Sequence, residues 1–323
     1  MKSKKVLALM LTGAMILGMG TTIMAAQETE EMTETTESSD HVKLGIQMYN
    51  FVVGGDWVNL DSQEGVDELL REIADAGYEG VEWCNFQLAG DLDLEETKKV
   101  MDEVGLETIG MHFHYGTEET LVDDIDTCIE RMNYLGTDKL IFAYSTPATF
   151  GIEADEDGNW TPEQIDEWAD KIQGVLDTMK QETEGTDIKV TYHNHATEMQ
   201  TGTEGEKVFD MIKPDAKEVD VYWTSKGLDG KVQTALDYVK EHDDEVYLLH
   251  VKDGMEGSTH TGEMCGWGKG TYDLQSIVDA AKASSNIDWV IVENDSPASF
   301  GLSGIEDAME SAEWAHSNID FAK

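Results

Sequence analysis

The segment VYLLHVKDG at Val246–Gly254 is a run of strand-forming residues that ends beside a histidine, a lysine and an aspartate. From His41 onward, similar short runs alternate with amphipathic helical patterns, and this alternation is typical of parallel βα units. The predicted strands are Lys43–Met48, Gly80–Trp83, Thr108–His112, Lys139–Ala143, Lys189–His193, Glu218–Tyr222, Val246–Val251 and Trp289–Glu293. Eight such strands predict an α/β fold with a single (β/α)8 TIM barrel.

Amphipathic helices are predicted between these strands. The longest, Thr161–Glu182, begins with Thr and Pro, which is a favourable helix start. The others are Glu64–Ala76, Leu94–Val104, Glu118–Leu135, Glu204–Ile212, Lys231–His242, Leu274–Ala283 and Gly304–Asn318. A doubly wound open sheet is the alternative, but nothing in the sequence resembles a Gly-rich phosphate loop. In a barrel, we expect the active site at the C-terminal ends of the strands.

The composition excludes several classes of partner. The 323 residues contain 22 Lys+Arg and 67 Asp+Glu, so the formal net charge is −45. This charge argues against nucleic acid, whose phosphates need a basic surface, and against binding to anionic lipid headgroups. A hydrophobic content of 40% with eight Trp is enough for a large core. The three cysteines are too few for a disulfide scaffold and lack the CxxC pairs of a structural zinc site.

The N-terminal segment differs from the rest of the chain. Residues 1–26 combine three lysines, a long apolar run and terminal small residues, which predicts a secretory signal peptide. An uncleaved membrane anchor is the alternative. Residues 27–40 hold six acids and no base, which predicts a disordered acidic linker before a barrel at residues 41–323. We therefore expect an exported protein, in the medium, cell wall or periplasm, with no membrane partner after cleavage.

Several metal-ligating side chains fall at predicted strand ends. Five histidines lie at or just past these ends: His112, His114, His193, His195 and His250. Asp220 and Glu293 occupy the same level on strands six and eight, so His193, Asp220, His250 and Glu293 are predicted to surround one ion. Such mixed ligands suit Mn²⁺, Mg²⁺, Zn²⁺, Fe²⁺ or Co²⁺. The alternative for any single histidine is a hydrogen-bonded structural role.

The ordered motifs resemble the xylose-isomerase-like TIM-barrel superfamily, which includes the sugar phosphate isomerase/epimerase family. The motifs are LGIQMYNF at Leu44–Phe51, GYEGVEW at Gly77–Trp83, IGMHFH at Ile109–His114, TYHNHATEM at Thr191–Met199, VDVYWTSKGLD at Val219–Asp229, HVKDG at His250–Gly254, GWGKGTYD at Gly266–Asp273 and VENDSP at Val292–Pro297. The resemblance implies metal ligands Glu, Asp, His and Glu on strands five to eight. Asp220, His250 and Glu293 match, whereas strand five departs because it offers His193.

The resemblance also implies proton transfer beside a sugar carbonyl. Glu293 is the implied base, and the second proton-transfer group is sought among its expected neighbours. The candidates are His112, His195, Glu198 and Lys252. Tyr49, Glu82, His114, Trp223 and Trp267 are predicted to bind substrate. The alternatives are core packing for the aromatic residues and a salt bridge to an acid such as Asp253 for Lys252.

Three functions are compatible with these residues. The first is a metal-dependent sugar isomerase or epimerase that enolises a keto-sugar. The second is a lyase or hydrolase of 3-keto-glycosides, which His193 in the place of a glutamate favours. The third is a non-catalytic sugar-binding barrel. All three predict a small carbohydrate as the partner.

Overall fold

Eight parallel strands close into a barrel in the computed structural model, which describes residues 40–53, 62–84, 92–113, 125–257 and 264–323. The barrel strands β1 to β8 are Lys43–Gln47, Gly80–Cys84, Glu107–Phe113, Lys139–Phe142, Lys189–His193, Ala216–Asp220, Val246–Val251 and Trp289–Val292. Each strand pairs with its neighbours in sequence, and β1 pairs with β8 to complete the closure. The predicted TIM barrel is confirmed.

Helices surround the barrel and follow the predicted order. Their bounds are Tyr49–Val53, Gln63–Asp75, Leu94–Val104, Ile125–Leu135, Pro162–Glu182, Val208–Met211, Val221–Gly227, Val232–Glu241, Leu274–Ala283 and Gly304–Asn318. Thr161 and Gln164 form a capping box at the start of the long helix, as the Thr-Pro sequence suggests. Beyond β7, two strands of two residues each, Asp253–Gly254 and Met264–Cys265, pair in antiparallel orientation. Within the described ranges, no helix has both the length and the apolar character needed to cross a membrane.

Among the described residues, two predicted elements were wrong by more than one residue in their bounds, and several others differ by a single residue. Strand β6 ends at Asp220 instead of Tyr222, because the Asp220 side chain accepts a hydrogen bond from the Trp223 backbone N–H and caps a new helix. The helix predicted at Glu204–Ile212 is reduced to Val208–Met211. Thr201 and Lys207 form an antiparallel bridge across that segment, which excludes an earlier helix start.

Some predictions lie outside the described residues. They are the signal peptide at residues 1–26, nearly all of the acidic linker at 27–40, the first part of the helix predicted from Glu118, and His114.

The N-terminal end of the barrel interior is apolar. Its side chains form one cluster: Ile109, Ile141, Leu248, Trp289 and Ile291. Glycines on neighbouring strands make room for them. A Cβ at Gly80 would lie 2.7 Å from the Trp289 ring, and one at Gly45 would lie 2.3 Å from Ile109 Cδ1. This end is a packed core that supports the polar end above it.

Candidate active site

The C-terminal end of the barrel interior is filled by charged and imidazole side chains. They are Glu82, His112, His193, Glu218, Asp220, His250, Lys252 and Glu293, all of them buried. His193, Asp220, His250 and Glu293, here called the carboxylate set, each offer one ligand atom, and these atoms lie within 4.8 Å of one another. The structure therefore brings together all four of the predicted metal ligands.

A second set of ligand atoms overlaps the first. His112, His193, Glu218 and His250, here called the imidazole set, also place one ligand atom each within 4.8 Å of the others. The sequence prediction did not include Glu218 as a ligand. The signal was available, because Glu218 lies two residues before Asp220 and alternate residues of a strand face the same side. In the described part of the chain, the two sets share His193 and His250.

His250 lies at the junction of the two sets. Its Nδ1 is 2.9 Å from Glu293 Oε2, and its Nε2 is 2.6 Å from Glu82 Oε2. Burial lowers the pKa of His250, but the surrounding carboxylates, Glu218 first, outweigh this effect and raise the pKa well above its ordinary value. Each nitrogen of this ring thus faces a different carboxylate.

Glu82 lies beneath the pocket and contacts imidazoles. Its Oε2 is 2.8 Å from His112 Nε2, and the same nitrogen is 3.0 Å from Glu218 Oε2. Burial raises the pKa of Glu82, but His112 and His250 hold it well below the ordinary value. Burial lowers the pKa of His112, yet the two glutamates raise it to about 9. Glu82 was predicted to bind substrate, but the structure places its fully buried carboxylate among histidines.

Lys252 lies where the sequence predicts, beside the carboxylate set. Its Nζ contacts both Asp220 Oδ2 and Glu293 Oε2, and Asp295 Oδ2 is 3.8 Å away. Burial lowers the pKa of Lys252, but these carboxylates, Asp220 first, raise it well above the ordinary value. Asp253, the alternative partner, instead accepts hydrogen bonds from backbone N–H groups of the loop that follows it.

His195 is held between two aromatic rings. Its ring centroid lies 3.8 Å from that of Tyr144, with the planes 6° apart, and 5.1 Å from that of Trp223. The His195 backbone N–H donates to Glu198 Oε2 at 3.0 Å, and the Tyr192 hydroxyl donates to Glu198 Oε1 at 2.8 Å. Burial raises the pKa of Glu198 to about 7. Glu198 therefore supports the loop that carries His195.

A cavity of about 650 Å³ opens above these groups. Its lining residues are Tyr49, Cys84, His112, Ala143, Tyr144, Thr146, Thr149, His193, His195, Trp223, Glu293 and Asp295. Of the predicted aromatic contacts, Tyr49 and Trp223 line the cavity. The structure does not bring Trp267 there: its side chain is buried, and its indole N–H donates to the Val251 carbonyl at 2.9 Å.

Asp295 lines the cavity and was missed by the sequence prediction. It accepts a hydrogen bond from the Trp223 indole N–H at 3.2 Å, and burial raises its pKa to about 7. Its position two residues after Glu293 was a weak signal, because the chain has already left the strand there.

The donor atoms present fit a divalent metal ion. Three buried atoms in this cluster form no hydrogen bond: Glu82 Oε1, Glu218 Oε1 and His193 Nδ1, the last of which lies 2.9 Å from Glu218 Oε2 without the alignment of a hydrogen bond. Buried polar atoms are almost always paired, so unpaired nitrogen and oxygen donors in one cluster indicate a place for an ion. Imidazole nitrogen and carboxylate oxygen are ordinary ligands of Zn²⁺, Mn²⁺, Fe²⁺ and Co²⁺.

Comparison with known proteins identifies the family. A family profile described as xylose isomerase-like TIM barrel matches residues 70–318. The chain belongs to this family. The resemblance of its motifs to sugar isomerases and epimerases is thereby confirmed at the level of the superfamily. No curated protein matches the sequence.

Solved structures with the same fold are distant in sequence. The 3-keto-D-glucoside 4-epimerase YcjR of E. coli is 18% identical, with a TM-score of 0.59 over 85% of this chain and 99% of that one. The IOLI protein with a bound zinc atom is 15% identical, with a TM-score of 0.60 over 85% and 97%. A xylose isomerase-like TIM barrel/4-hydroxyphenylpyruvate dioxygenase fusion protein is 13% identical, with a TM-score of 0.56, and this chain covers 41% of it.

Proposed function

We propose that this protein is a metal-dependent enzyme that enolises a keto-sugar, with isomerase or epimerase chemistry. The observation that carries this proposal is the position of Glu293. Its carboxylate lines the cavity and is held by Lys252 Nζ and His250 Nδ1. Burial raises the pKa of Glu293, but Lys252 and His250 outweigh this and keep the pKa well below its ordinary value. The group is therefore ionised and oriented, as a base that removes a proton from carbon must be.

A divalent ion, held by residues of the carboxylate set or of the imidazole set, would act as a Lewis acid on a carbonyl oxygen. Glu293 takes the proton from the carbon next to that carbonyl. The ammonium of Lys252 contacts the Glu293 carboxylate and holds its orientation.

The second proton-transfer group in this proposal is His195. Its side chain lines the cavity, whereas Glu198, another of the sequence candidates, lies behind it and is fully buried. Burial lowers the pKa of His195 well below its ordinary value, so the ring is neutral and can accept a proton, and the imidazolium formed in that step can return one. Tyr144 and Trp223 flank the same ring and offer flat surfaces for a sugar.

An unphosphorylated substrate suits this cavity. No lysine or arginine is among the described residues that line it. Phosphate groups are recognised mainly by arginine, lysine or helix N-termini. The name of one structural neighbour, 3-keto-D-glucoside 4-epimerase, supports a 3-keto-glycoside as the substrate class to test first.

Proton NMR in D₂O tests the proposal. The full chain, supplied with Mn²⁺, is incubated with a panel of free ketoses and 3-keto-glycosides. We expect deuterium at the carbon next to the carbonyl, together with a new isomer, and no exchange with Glu293→Gln. Ile291→Val, on β8 just before Glu293 and in the apolar cluster, is the control and should retain exchange. Absence of exchange across the panel, or full exchange with Glu293→Gln, would contradict the proposal.

A lyase or hydrolase of 3-keto-glycosides is the second proposed function. It is favoured by His193 at the end of β5, because an imidazole replaces the acid that an epimerase places there. The same NMR experiment distinguishes the two, since this activity releases the aglycone. Sugar binding with neither exchange nor release would instead indicate the non-catalytic barrel.

We also propose that the enzyme is exported. The support is the sequence of residues 1–26, which has the charge and apolar pattern of a signal peptide. Expression of the full chain in a bacterial host, followed by fractionation, tests this. Full-length protein that stays with the cytoplasm would contradict it.

A further inference from the structure

The two ligand sets cannot be equivalent, because each His250 nitrogen points at a different set. Nδ1 faces Glu293 of the carboxylate set, and Nε2 faces Glu82 and, at 3.4 Å, Glu218 of the imidazole set. An ion ligated by one nitrogen leaves an N–H on the other nitrogen, which then donates to the carboxylate on its side. Which set binds the ion therefore depends on the other charged and unpaired polar groups around each set.

The carboxylate set already contains a cation. Lys252 is fully buried, and its Nζ contacts Asp220 and Glu293 directly. A divalent ion bound between the same two carboxylates would lie next to the ammonium, where little water screens their repulsion. In addition, no buried side-chain atom of Asp220, Glu293 or Lys252 lacks a hydrogen-bond partner.

The imidazole set differs from the carboxylate set in its charge and in its unpaired polar atoms. Glu218 Oε1 is buried without a hydrogen-bond partner, and Glu82 Oε1 beside it is in the same state. His193, which both sets share, has its buried Nδ1 2.9 Å from Glu218 Oε2, but the two atoms form no well-aligned hydrogen bond. No lysine or arginine in the described residues forms an ion pair with Glu82 or Glu218. These two carboxylates balance the charge of a divalent ion when the three imidazoles are neutral, as ligands must be.

We propose that the divalent ion binds in the imidazole set, through His112, His193, Glu218 and His250, while the Lys252 ammonium occupies the cation position between Asp220 and Glu293. Three imidazoles and one carboxylate suit Zn²⁺, Co²⁺, Fe²⁺ or Mn²⁺, whereas Mg²⁺ prefers oxygen ligands. His250 ligates through Nε2, and its Nδ1–H donates to Glu293. Glu293 is then free of the ion and available to take a proton.

This inference rests on the proposed function for the role of the ion, but its test requires no sugar. Co²⁺ is titrated into the metal-stripped full chain, and its affinity and visible absorption are measured. The matched pair is Glu218→Gln and Asp220→Asn, two neutralised acids on the same strand. We expect Glu218→Gln to lower Co²⁺ affinity by about 100-fold or more, since even loss of a group that only supports a ligand costs roughly 10- to 100-fold. Asp220→Asn should change it by less than about fivefold.

Three further measurements protect the test against a variant that does not fold. His112→Asn should lower Co²⁺ affinity as Glu218→Gln does, whereas His195→Asn, outside both sets, should not. X-ray absorption of the Co²⁺-bound chain should count three imidazole ligands, against two for the carboxylate set. Excess Mg²⁺ should not displace Co²⁺.

Several outcomes would overturn the inference. They are a loss of affinity with Asp220→Asn, alone or equal to that of Glu218→Gln, a count of two imidazoles, and an unsubstituted chain that binds no Co²⁺. Failure of keto-sugar exchange would leave these results unaffected, so the two proposals fail separately.

Discussion

The two ends of the barrel interior use the same strands for different purposes. On β8, Ile291 belongs to the apolar cluster, and Glu293, two residues further, lines the cavity. On β7, Leu248 belongs to that cluster, and His250, again two residues further, joins the two ligand sets. The side chains at the apolar end need no hydrogen-bond partner. The other end contains buried charges, and each of them needs a hydrogen bond or an ion pair.

This difference separates stability from chemistry along each strand. A change at the apolar end removes packing, and its cost should be a loss of stability that does not depend on pH. A change at the polar end removes a charge or a proton-transfer group, and its cost should be a loss of activity or a change in pH dependence. Substitutions at neighbouring positions of one strand test whether stability and chemistry are separated in this way.

The largest expected effect is that of Glu293→Gln on turnover. The amide keeps the shape of the side chain but cannot accept a proton, so we expect deuterium exchange to fall by about 10³-fold or more. The free energy of unfolding should fall by no more than about 3–5 kcal/mol, because Lys252 loses one buried partner but keeps Asp220 as another. Urea denaturation and exchange rates on the same preparation check both parts. A variant that loses stability as much as activity would remove the distinction at this position.

The next largest effect is that of Ile291→Ala on stability. Removing a buried isoleucine side chain should lower the free energy of unfolding by about 2–5 kcal/mol. Exchange per folded molecule should stay near that of the unsubstituted chain. Urea denaturation, with exchange normalised to the folded fraction, measures this. Loss of exchange in the folded fraction would mean that the apolar end also positions Glu293.

A third effect concerns Glu198, which lies behind the cavity. Its pKa is raised to about 7 in the folded protein, from an ordinary value of 4.5, by burial. The folded state thus holds the proton more tightly, so the stabilisation is complete below pH 4.5 and is lost as pH rises through 7. Relative to Glu198→Gln, the unsubstituted chain should lose about 2–3 kcal/mol between pH 5 and pH 8. Ile291→Ala retains Glu198, so its stability should fall with pH in parallel with that of the unsubstituted chain. Parallel curves for Glu198→Gln and the unsubstituted chain would contradict the assignment.

The smallest effect is that of Gly80→Ala at the apolar end. An added Cβ would lie 2.7 Å from the Trp289 ring and 2.9 Å from the Glu107 carbonyl oxygen. Such overpacking should cost about 1–3 kcal/mol of stability. Gly174→Ala is the matched control, because nothing lies within 4 Å of a Cβ in that helix, and it should stabilise by about 1 kcal/mol. Equal thermal midpoints for the two variants would contradict the packing argument.

Much of the fold was predictable from local pattern. The predicted bounds of Lys189–His193 and Val246–Val251 agree with the structure, because β-branched and apolar runs between helices are a strong signal. The end of β6 was not predictable in the same way. Val221 and Tyr222 continue the apolar run, yet they belong to a helix because Asp220 caps it.

The candidate site was predictable in part. Strand-end histidines and acids pointed to the four residues of the carboxylate set, and the structure brings them together. The positions of Trp267 and Glu198 were not apparent, since an indole or a carboxylate near a strand end can face either the cavity or the core. In the structure, the Trp267 indole donates to the Val251 carbonyl and Glu198 accepts from the His195 backbone N–H. These hydrogen bonds hold both side chains in the core and not in the cavity.

The amino-acid pattern alone predicts the barrel, the face of each strand and the end at which the chemistry lies. These follow from periods of two and 3.6 residues, which are local properties of the chain. The folded structure was needed to show that Lys252 lies between Asp220 and Glu293, and that Glu82 and Glu218 lie among the imidazoles. The physical reason is that closure and strand register set the distances between residues far apart in sequence, and those distances determine which charges neighbour each other.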